Sequence, residues 1–218
     1  MPEIVVVGGG GHAKGIISLL KRFPSYRLLG YTDLRDQGDI LGIHYLGNDS
    51  QLAVIQKKYR GCLAVIGVGG VTISKVRNGI KQKLELLGYK LPAIISPTAV
   101  IGEEVLIGNG TVVFDGVVVN TGTRIGECVI LNTHCTIDHD CVIGDFSHIA
   151  PGATLCGGVR VGQNSILSSG SIVIQYKTIG ESCLVGAGAT VVDDCCEPGL
   201  YLGTPARRKQ DAAELVSR

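Results

Sequence analysis

Large aromatic side chains are scarce in this sequence. Among 218 residues there is no tryptophan, and aromatic residues make up 5% of the chain, which excludes a core built on ring packing. Glycine, in contrast, occurs 32 times, about twice its usual share. Few rings, many glycines and abundant valine and isoleucine together indicate many tight turns around a narrow aliphatic core.

A charge excess of one sign and a long apolar run are both missing. The formal net charge is +1, so no broad basic field points to nucleic acid or to an anionic membrane. No stretch of about 18 apolar residues is present, and Met1-Pro2-Glu3 leads directly into a strand without a signal-peptide pattern. We therefore expect a cytoplasmic protein that binds neither nucleic acid nor membrane.

The eight cysteines lack the spacing of a disulfide framework, and no C-x-x-C pair occurs. In a chain without a secretion signal this favours reduced thiols. Cys135, Cys141 and Cys183 fall on one position of the repeat described below, where we interpret them as compact core residues.

Residues 1 to about 92 alternate apolar strands with amphipathic helices. The predicted strands are Glu3–Val7, Leu28–Thr32 and Cys62–Ile66, and the predicted helices are Ala13–Arg22, which Pro24 ends, and Ile73–Leu87, which Gly88 caps. This alternation predicts a small parallel sheet.

From Ala99 onward the sequence has a period of six. Sixteen positions from Ile101 to Val191 all carry aliphatic residues, and the residue two before each is Ala, Val, Thr, Cys or Ser, except at Lys177. Six residues suffice for one short strand and one turn, so three repeats close a triangular coil. Sixteen repeats predict about five stacked coils around an aliphatic ladder. The glycines that follow many of these aliphatic residues are expected to permit the turn dihedral angles.

These repeats resemble the hexapeptide acyltransferases with a left-handed β-helix, and the domain order is similar to that of bacterial sugar acetyltransferases. The resemblance implies an α/β + β fold, with a Rossmann-like parallel-sheet domain over residues 1–92 and a left-handed parallel β-helix with a C-terminal tail over residues 93–218. It also implies a homotrimer, because coenzyme A in this family lies between neighbouring β-helices.

A glycine-rich segment, Gly8 to Ala13, follows the first strand and fits G-x-G-x-x-A. Its backbone can approach a phosphate at a helix N-terminus, and Asp33 follows the second strand, where dinucleotide folds place an acid that binds ribose. About 92 residues are too few for both halves of an NAD fold, so a single nucleotide fits better. The alternative is a tight turn with Asp33 as a cap. In the family resembled, the matching positions hold the UDP part of the substrate, and they are Gly10, Gly11, His12, Asp33 and Gly67.

Two carboxylates flank an imidazole in Asp138-His139-Asp140, which the repeat places on an outward-facing turn. A neutral histidine takes a proton near neutral pH, and a carboxylate on its other nitrogen fixes the tautomer and raises its basicity. Residues 129–147 resemble the catalytic stretch of the 4-amino-sugar N-acetyltransferases, which implies His139 as general base and Asp140 as its partner. A member of that family has Glu at the second position, one methylene longer than Asp140, so Asp138 remains an alternative partner. Solvated turn residues remain the non-catalytic interpretation.

The same resemblance extends to binding residues. It implies that His148, Ser169 and Ala187 contact acetyl-CoA and that Asn132 lies near the acceptor. The segment Gly203 to Arg207 is similar to the closing G-x-P-A-[KR] motif of the family, beside which coenzyme A binds. Arg207, with Arg208 and Lys209, can neutralise phosphates there, and the alternative is that these three cations form a solvated tail.

A zinc site is the rival interpretation of the histidines. His134 and His139 are five apart, the spacing of two zinc ligands in the γ-class carbonic anhydrases, which share the β-helix. No histidine occurs between His44 and His134, so the third ligand is missing and no metal is expected.

We therefore expect an enzyme, an N-acetyltransferase that uses acetyl-CoA on the 4-amine of a nucleotide-linked amino sugar, with a UDP-4-amino-4,6-dideoxy sugar as the expected acceptor. The likeness is to the bacterial UDP-4-amino-sugar N-acetyltransferases of the sialic-acid O-acetyltransferase-like family. Two alternatives stay open: an O-acetyltransferase acting on sialic acid or a related sugar, and a non-enzymatic hexapeptide-repeat subunit.

Overall fold

The computed structural model describes residues 1–22, 25–70, 72–73 and 75–211. The chain divides into two compact units, Met1–Gly69 with Val76–Pro92, and Gly70–Lys75 with Ala93–Arg218. Pro24, the predicted end of the first helix, lies outside the described residues.

The first unit is a small parallel α/β structure. Its elements are β1 (Glu3–Val7), α1 (Gly11–Lys21), β2 (Arg27–Thr32), α2 (Gln51–Lys58), β3 (Leu63–Ile66) and α3 (Val76–Leu86). The three strands pair in the order β2-β1-β3, and both pairings are parallel, as predicted. The four residues from Ile4 to Val7 are buried, because a central strand has neighbours on both sides.

All three helices of the first unit differ from the sequence prediction, and α1 does so only slightly, since it begins at Gly11 rather than Ala13 and ends at Lys21 rather than Arg22. The eight-residue α2 was missed, since only Leu52 and Ile55 of this helix are buried and its apolar periodicity is weak. Helix α3 begins at Val76 rather than Ile73. The predicted cap is confirmed: Gly88 has φ +80° and its N–H donates to the Glu85 carbonyl at 2.9 Å.

The second unit is a β-solenoid of about six turns with three parallel sheets. The first sheet contains β4 (Ile94–Ile95), β7 (Val112–Val113), β10 (Ile130–Leu131), β13 (His148–Ile149), β16 (Ile166–Leu167), β19 (Cys183–Val185), β21 (Gly199–Leu202) and the antiparallel β22 (Arg207–Asp211). The second contains β5 (Val100–Ile101), β8 (Val118–Val119), β11 (Thr136–Ile137), β14 (Thr154–Leu155), β17 (Ile172–Val173) and β20 (Thr190–Val191). The third contains β6 (Leu106–Ile107), β9 (Arg124–Ile125), β12 (Val142–Ile143), β15 (Arg160–Val161) and β18 (Thr178–Ile179).

Residues 18 apart are neighbours in adjacent coils, as the pairing of Ile130 with His148 and of Thr136 with Thr154 illustrates. The expected number of coils was too low, because the first rung begins at Ile94, before the counted repeat, and β21 adds a rung after it.

The predicted aliphatic ladder is the core of this unit. Every periodic position from Val113 to Val191 is at most 4% exposed, and Ile101 and Ile107 are partly buried against the same cluster. Cys135, Cys141 and Cys183 are fully buried in it, as expected, and all eight cysteines carry free thiols. Burial raises the pKa of the Cys141 and Cys183 thiols to about 11.

The expected role of the glycines after the aliphatic positions was wrong. Left-handed φ angles occur at the second position of the turns instead, as at Gly170 with φ +67°. A Cβ atom on Gly162, which follows an aliphatic position, would lie 2.6 Å from the Glu181 nitrogen in the next coil. These glycines therefore permit close stacking of the coils rather than unusual dihedral angles.

No helix among the described residues is long and apolar enough to cross a membrane.

Candidate active site

His139 occupies the first position of a coil turn that joins two short strands of the solenoid. The turn lies outside the core, as predicted: the side chains of His139 and Asp140 are 51% and 72% exposed. Asp140 has φ +59°, the left-handed conformation that almost every second turn position in this solenoid adopts. The repeat thereby holds two adjacent polar side chains at the surface of a rigid stack.

The imidazole of His139 is paired with Asp140. Nδ1 lies 2.8 Å from Asp140 Oδ2, so that Nδ1–H donates to the carboxylate and Nε2 keeps a lone pair. The hydrogen bond to Asp140 raises the pKa of His139, and the charge of Asp138 raises it further. This is the arrangement of a general base whose tautomer is held by a carboxylate.

Asp138 has a different set of partners. Its Oδ1 accepts the backbone N–H of His139 at 2.9 Å and a hydrogen from Asn120 Nδ2 at 2.9 Å. The Asn120 amide and the His139 N–H hold the pKa of this carboxyl below its usual range. Of the two acids that the sequence left open as the partner of the ring, Asp140 contacts the imidazole and Asp138 contacts the backbone.

The buried hydroxyl of Thr123 anchors the turn to the coil. Thr123 is fully buried, and its Oγ1 donates to the Asp138 carbonyl at 2.8 Å and accepts the Cys141 N–H at 3.1 Å. Both ends of the segment that carries His139 are therefore fixed by one side chain of the preceding coil.

His148 and Asn132 form a second polar group on the first sheet of the solenoid. His148 is 8% exposed, its Nδ1 donates to the Gly70 carbonyl at 2.6 Å, and its Nε2 accepts from Asn132 Nδ2 at 3.2 Å. Asn132 Oδ1 accepts the Thr133 N–H at 2.8 Å. The structure brings these two predicted residues together, but their polar atoms are already engaged with protein groups.

Other predicted contacts of acetyl-CoA lie at exposed surfaces of the solenoid. Ser169 and Ala187 are exposed first residues of turns, 18 positions apart, and so share one column of corners. His139 belongs to a different column. Arg207 begins β22, where its Nη1 donates to Asp193 Oδ2 at 3.0 Å, and its side chain is 57% exposed.

The predicted nucleotide loop lies in the first unit, at the beginning of α1. Gly10 and Gly11 are exposed, and a Cβ on either would meet no atom within 4 Å. Gly10 precedes α1 and supplies no side-chain cap to the helix, and a helix N-terminus of this kind suits an anion. The loop lines a cavity of about 420 Å³, together with Lys14, Gln37 and Asp39.

Three further residues predicted for this loop have structural surroundings of their own. Asp33 accepts the Gly9 N–H at 2.6 Å and the Arg35 N–H at 3.2 Å, so it ties the loop to the end of β2. Gly67 is buried, and a Cβ there would lie 2.7 Å from Val6 Cγ1 and 2.9 Å from Ala13 Cβ. The absence of a side chain at Gly67 therefore permits β1 and α1 to pack closely against this position. His12 is half-buried in the first turn of α1.

No group of three or more His, Cys, Asp or Glu side chains within the described ranges is arranged to hold a metal ion.

Sequence reasoning missed three contributors to the site. Asn120 lies 18 residues before Asp138, and Thr123 lies 18 residues before Cys141. Because residues 18 apart are neighbours in adjacent coils, a search for polar residues at this spacing could have found both. Gly70 carries no such signal, because its carbonyl reaches His148 from 78 residues away in sequence.

Two family models match the chain. The model described as PglD N-terminal domain matches residues 3–84, and the model described as bacterial transferase hexapeptide (six repeats) matches residues 140–175.

Similar proteins cover the chain more completely. The GDP-perosamine N-acetyltransferase of Escherichia coli O157:H7 is 30% identical over 153 residues, which are 67% of this chain and 66% of that enzyme. A variant of perosamine N-acetyltransferase from Caulobacter crescentus, solved with CoA and GDP-perosamine, is 33% identical; the match covers 97% of this chain and 98% of that one, with a TM-score of 0.90. The acetyltransferase domain of PglB from Neisseria gonorrhoeae, solved with acetyl coenzyme A, is 33% identical over 95% of this chain and 98% of that one, with a TM-score of 0.88.

The two solved structures thus match this chain over nearly its whole length at 33% identity, and the matching family models fall on its two units. The chain belongs to the PglD-like hexapeptide-repeat N-acetyltransferases of nucleotide-linked amino sugars.

Proposed function

We propose that this chain transfers the acetyl group of acetyl-CoA to the 4-amine of a nucleotide-linked amino sugar, with His139 as general base. The observation that carries the proposal is the 2.8 Å contact of His139 Nδ1 with Asp140 on an exposed turn, in a chain of this family. The hydrogen bond leaves Nε2 as the proton acceptor.

The chemistry needs one base and no covalent enzyme intermediate. The amine nitrogen attacks the thioester carbonyl carbon, and Nε2 of His139 takes the proton that the nitrogen loses. The C–S bond then breaks, and the coenzyme A thiolate takes the proton back from the imidazolium. Asp140 stabilises that imidazolium through its hydrogen bond with Nδ1.

Acetyl-CoA is the proposed co-substrate, with His148, Ser169, Ala187 and Arg207 as its candidate contacts. The exposed guanidinium of Arg207 suits a phosphate, and the exposed turns at Ser169 and Ala187 suit backbone contacts. Because both ring nitrogens of His148 are engaged, we infer that His148 acts through packing and through its hold on Asn132, the candidate acceptor contact. A homotrimer belongs to the proposal, since His139 and Ser169 lie on different columns of corners.

The first unit is proposed to bind the nucleotide. The open N–H groups at Gly10 and Gly11 and the cation of Lys14 line a cavity of about 420 Å³, which supports binding of a diphosphate. Asp33 stabilises the loop through Gly9 and remains a candidate for the ribose, with His12 beside the loop and Gly67 as a packing residue beneath it.

The nucleotide is the open part of the proposal. The glycine loop and Asp33 suit UDP or GDP equally well. The expectation of UDP came from resemblance. In contrast, the similar protein of E. coli is a GDP-perosamine N-acetyltransferase, and that of C. crescentus was solved in complex with GDP-perosamine. GDP- and UDP-linked 4-amino-4,6-dideoxy sugars are therefore the first acceptors to compare.

The test is coenzyme A release from acetyl-CoA with GDP-, UDP- and dTDP-linked 4-amino sugars and with free sialic acid, beside His139→Ala. We expect turnover with one nucleotide amino sugar and a fall of about 10²- to 10⁴-fold in the variant. Turnover with sialic acid alone would move the assignment to O-acetylation. No turnover with any acceptor, or full activity of His139→Ala, would contradict the catalytic role.

A further inference from the structure

Gly157 lies one coil after His139, directly against its imidazole. A Cβ atom on Gly157 would lie 2.5 Å from His139 Nε2 and 2.7 Å from Cε1. Cβ atoms essentially never come within 3.0 Å of a heavy atom outside their own residue and its chain neighbours. The ring of His139 therefore occupies the space that any other residue at position 157 requires.

Backbone conformation does not account for this glycine. Left-handed φ angles belong to the second position of the turns, where Gly158 has φ +69°, and Gly157 is not among the residues with positive φ. The first turn positions recur every six residues from Pro97 to Ala187, and Gly157 is the only glycine among these sixteen described positions. The turn thus accepts a side chain at every equivalent position.

The other half of the pair meets a glycine in the preceding coil. A Cβ on Gly122 would lie 2.7 Å from Asp140 Oδ1. Asp140 therefore lies against Gly122 and His139 against Gly157, so that glycines of both adjacent coils border the pair. Gly122 also has φ +72°, which by itself favours glycine. Only Gly157 isolates the steric effect.

We propose that Gly157 is a positioning residue for His139. Its missing side chain allows the imidazole to keep the orientation in which Nδ1 contacts Asp140 and Nε2 faces the space that a side chain at position 157 would fill. A methyl group at position 157 either turns the ring away from Asp140 or covers Nε2. The inference rests on the proposed role of His139 as base.

The kinetic test is Gly157→Ala in the full-length chain. We expect kcat to fall about 10²-fold, the scale of a displacement of about 1 Å at a reacting group, with little change in the KM for acetyl-CoA. In the His139→Ala background the same substitution is expected to cause no further loss, because the group on which it acts is gone. Gly79→Ala, in α3 with no atom within 4 Å of the new methyl, is the matched glycine control and keeps full activity.

Thermal unfolding supplies a test that is independent of the reaction. Because the clash is with the end of a half-exposed side chain that can turn aside, Gly157→Ala is expected to lower Tm only slightly in the native chain. This drop is expected to vanish in the His139→Ala background, where the methyl group has room. An undiminished drop in that background, or an unchanged kcat in Gly157→Ala, would overturn the proposal. If the wild-type chain transfers no acetyl group to any acceptor, the result contradicts the proposed function. The Tm comparison would then still test whether Gly157 and the His139 ring are in contact.

Discussion

The imidazole of His139 is controlled by two carboxylates with separate tasks. Asp140 holds the ring through Nδ1, and Asp138, fixed by Asn120, holds the backbone of the same residue and adds a negative charge nearby. Both raise the pKa of His139, the hydrogen bond to Asp140 more than the charge of Asp138. The neutral base is therefore populated at higher pH than in a free imidazole.

A first prediction follows for Asp140→Asn. Because the carboxylate raises the pKa of His139, its removal lowers that pKa, and the rising acid limb of the pH profile of kcat/KM moves to lower pH. The plateau of kcat is expected to fall by at least about tenfold, since the amide stabilises the imidazolium poorly. Activity between pH 5 and 9 and NMR titration of the His139 ring measure both effects.

The matched control is Glu104→Gln. Glu104 has the same turn position two coils earlier and the same φ of +59°, but the carboxylates that raise the pKa of His139 are those of Asp140 and Asp138. The pH profile of kcat/KM of Glu104→Gln is expected to coincide with that of the wild type. An acid limb that stays in place in Asp140→Asn would contradict the pairing.

At the scale of the elements, the solenoid uses glycine for two unrelated reasons. Glycines that follow the aliphatic ladder make room for the backbone of the next coil, whereas glycines at second turn positions adopt left-handed φ angles. Asn, Asp, His, Cys and Tyr also occupy second turn positions with positive φ, so that conformation tolerates a side chain. In contrast, the glycines that follow the aliphatic ladder lie too close to the backbone of the next coil to be replaced by a residue with a side chain.

A second prediction compares Gly162→Ala with Gly170→Ala. The new Cβ at 162 would lie 2.6 Å from the Glu181 nitrogen and 2.7 Å from the Gly180 carbonyl carbon, whereas at 170 it meets nothing within 4 Å. Gly170→Ala is expected to cost about 1–2 kcal/mol through its φ alone. Gly162→Ala is expected to cost at least about 1 kcal/mol more, because two coils must separate.

Urea unfolding of the two variants measures the difference. Equal losses, or a larger loss at Gly170, would show that turn dihedral angles rather than coil stacking dominate the glycine requirement.

At the scale of the whole molecule, the candidate groups are distributed over several surfaces of the chain. His139 lies on one column of corners, and Ser169 and Ala187 on another. The proposed trimer lets one copy supply the base and a neighbouring copy supply contacts to the coenzyme.

A third prediction concerns activity upon dilution. If neighbouring copies share the site, dilution that dissociates the trimer is expected to lower the specific activity per chain. The activity should decrease as the monomer fraction, measured by analytical ultracentrifugation at the same concentrations, increases. A monomer with full activity would contradict the shared site. Reductant is expected to leave both measurements unchanged, because all eight thiols are free.

The sequence predicted local and periodic features well. The aliphatic ladder, the parallel order of the first sheet and the exposed turn at His139 follow from spacing, because each repeat buries the same position in its own coil. The missed α2 has only two buried residues, too few to produce a periodic pattern. The coil count was too low because it began at Ile101, although Ile95 already occupies the same position of the repeat, and because β21 pairs with an offset of 16 residues rather than 18.

What the sequence by itself determined is the architecture of the solenoid and the chemical identity of the exposed pair, since a period of six dictates which side chains face inward. Only the tertiary structure decided that Asp140 rather than Asp138 contacts the ring, that His148 donates to Gly70, and that the imidazole lies against Gly157. The contacts of His148 with Gly70 and of His139 with Gly157 join distant segments or different coils, which no local spacing records. The choice between Asp138 and Asp140 depends on side-chain orientation, and Asn120 of the preceding coil holds Asp138 away from the ring by a hydrogen bond that only the folded stack brings about.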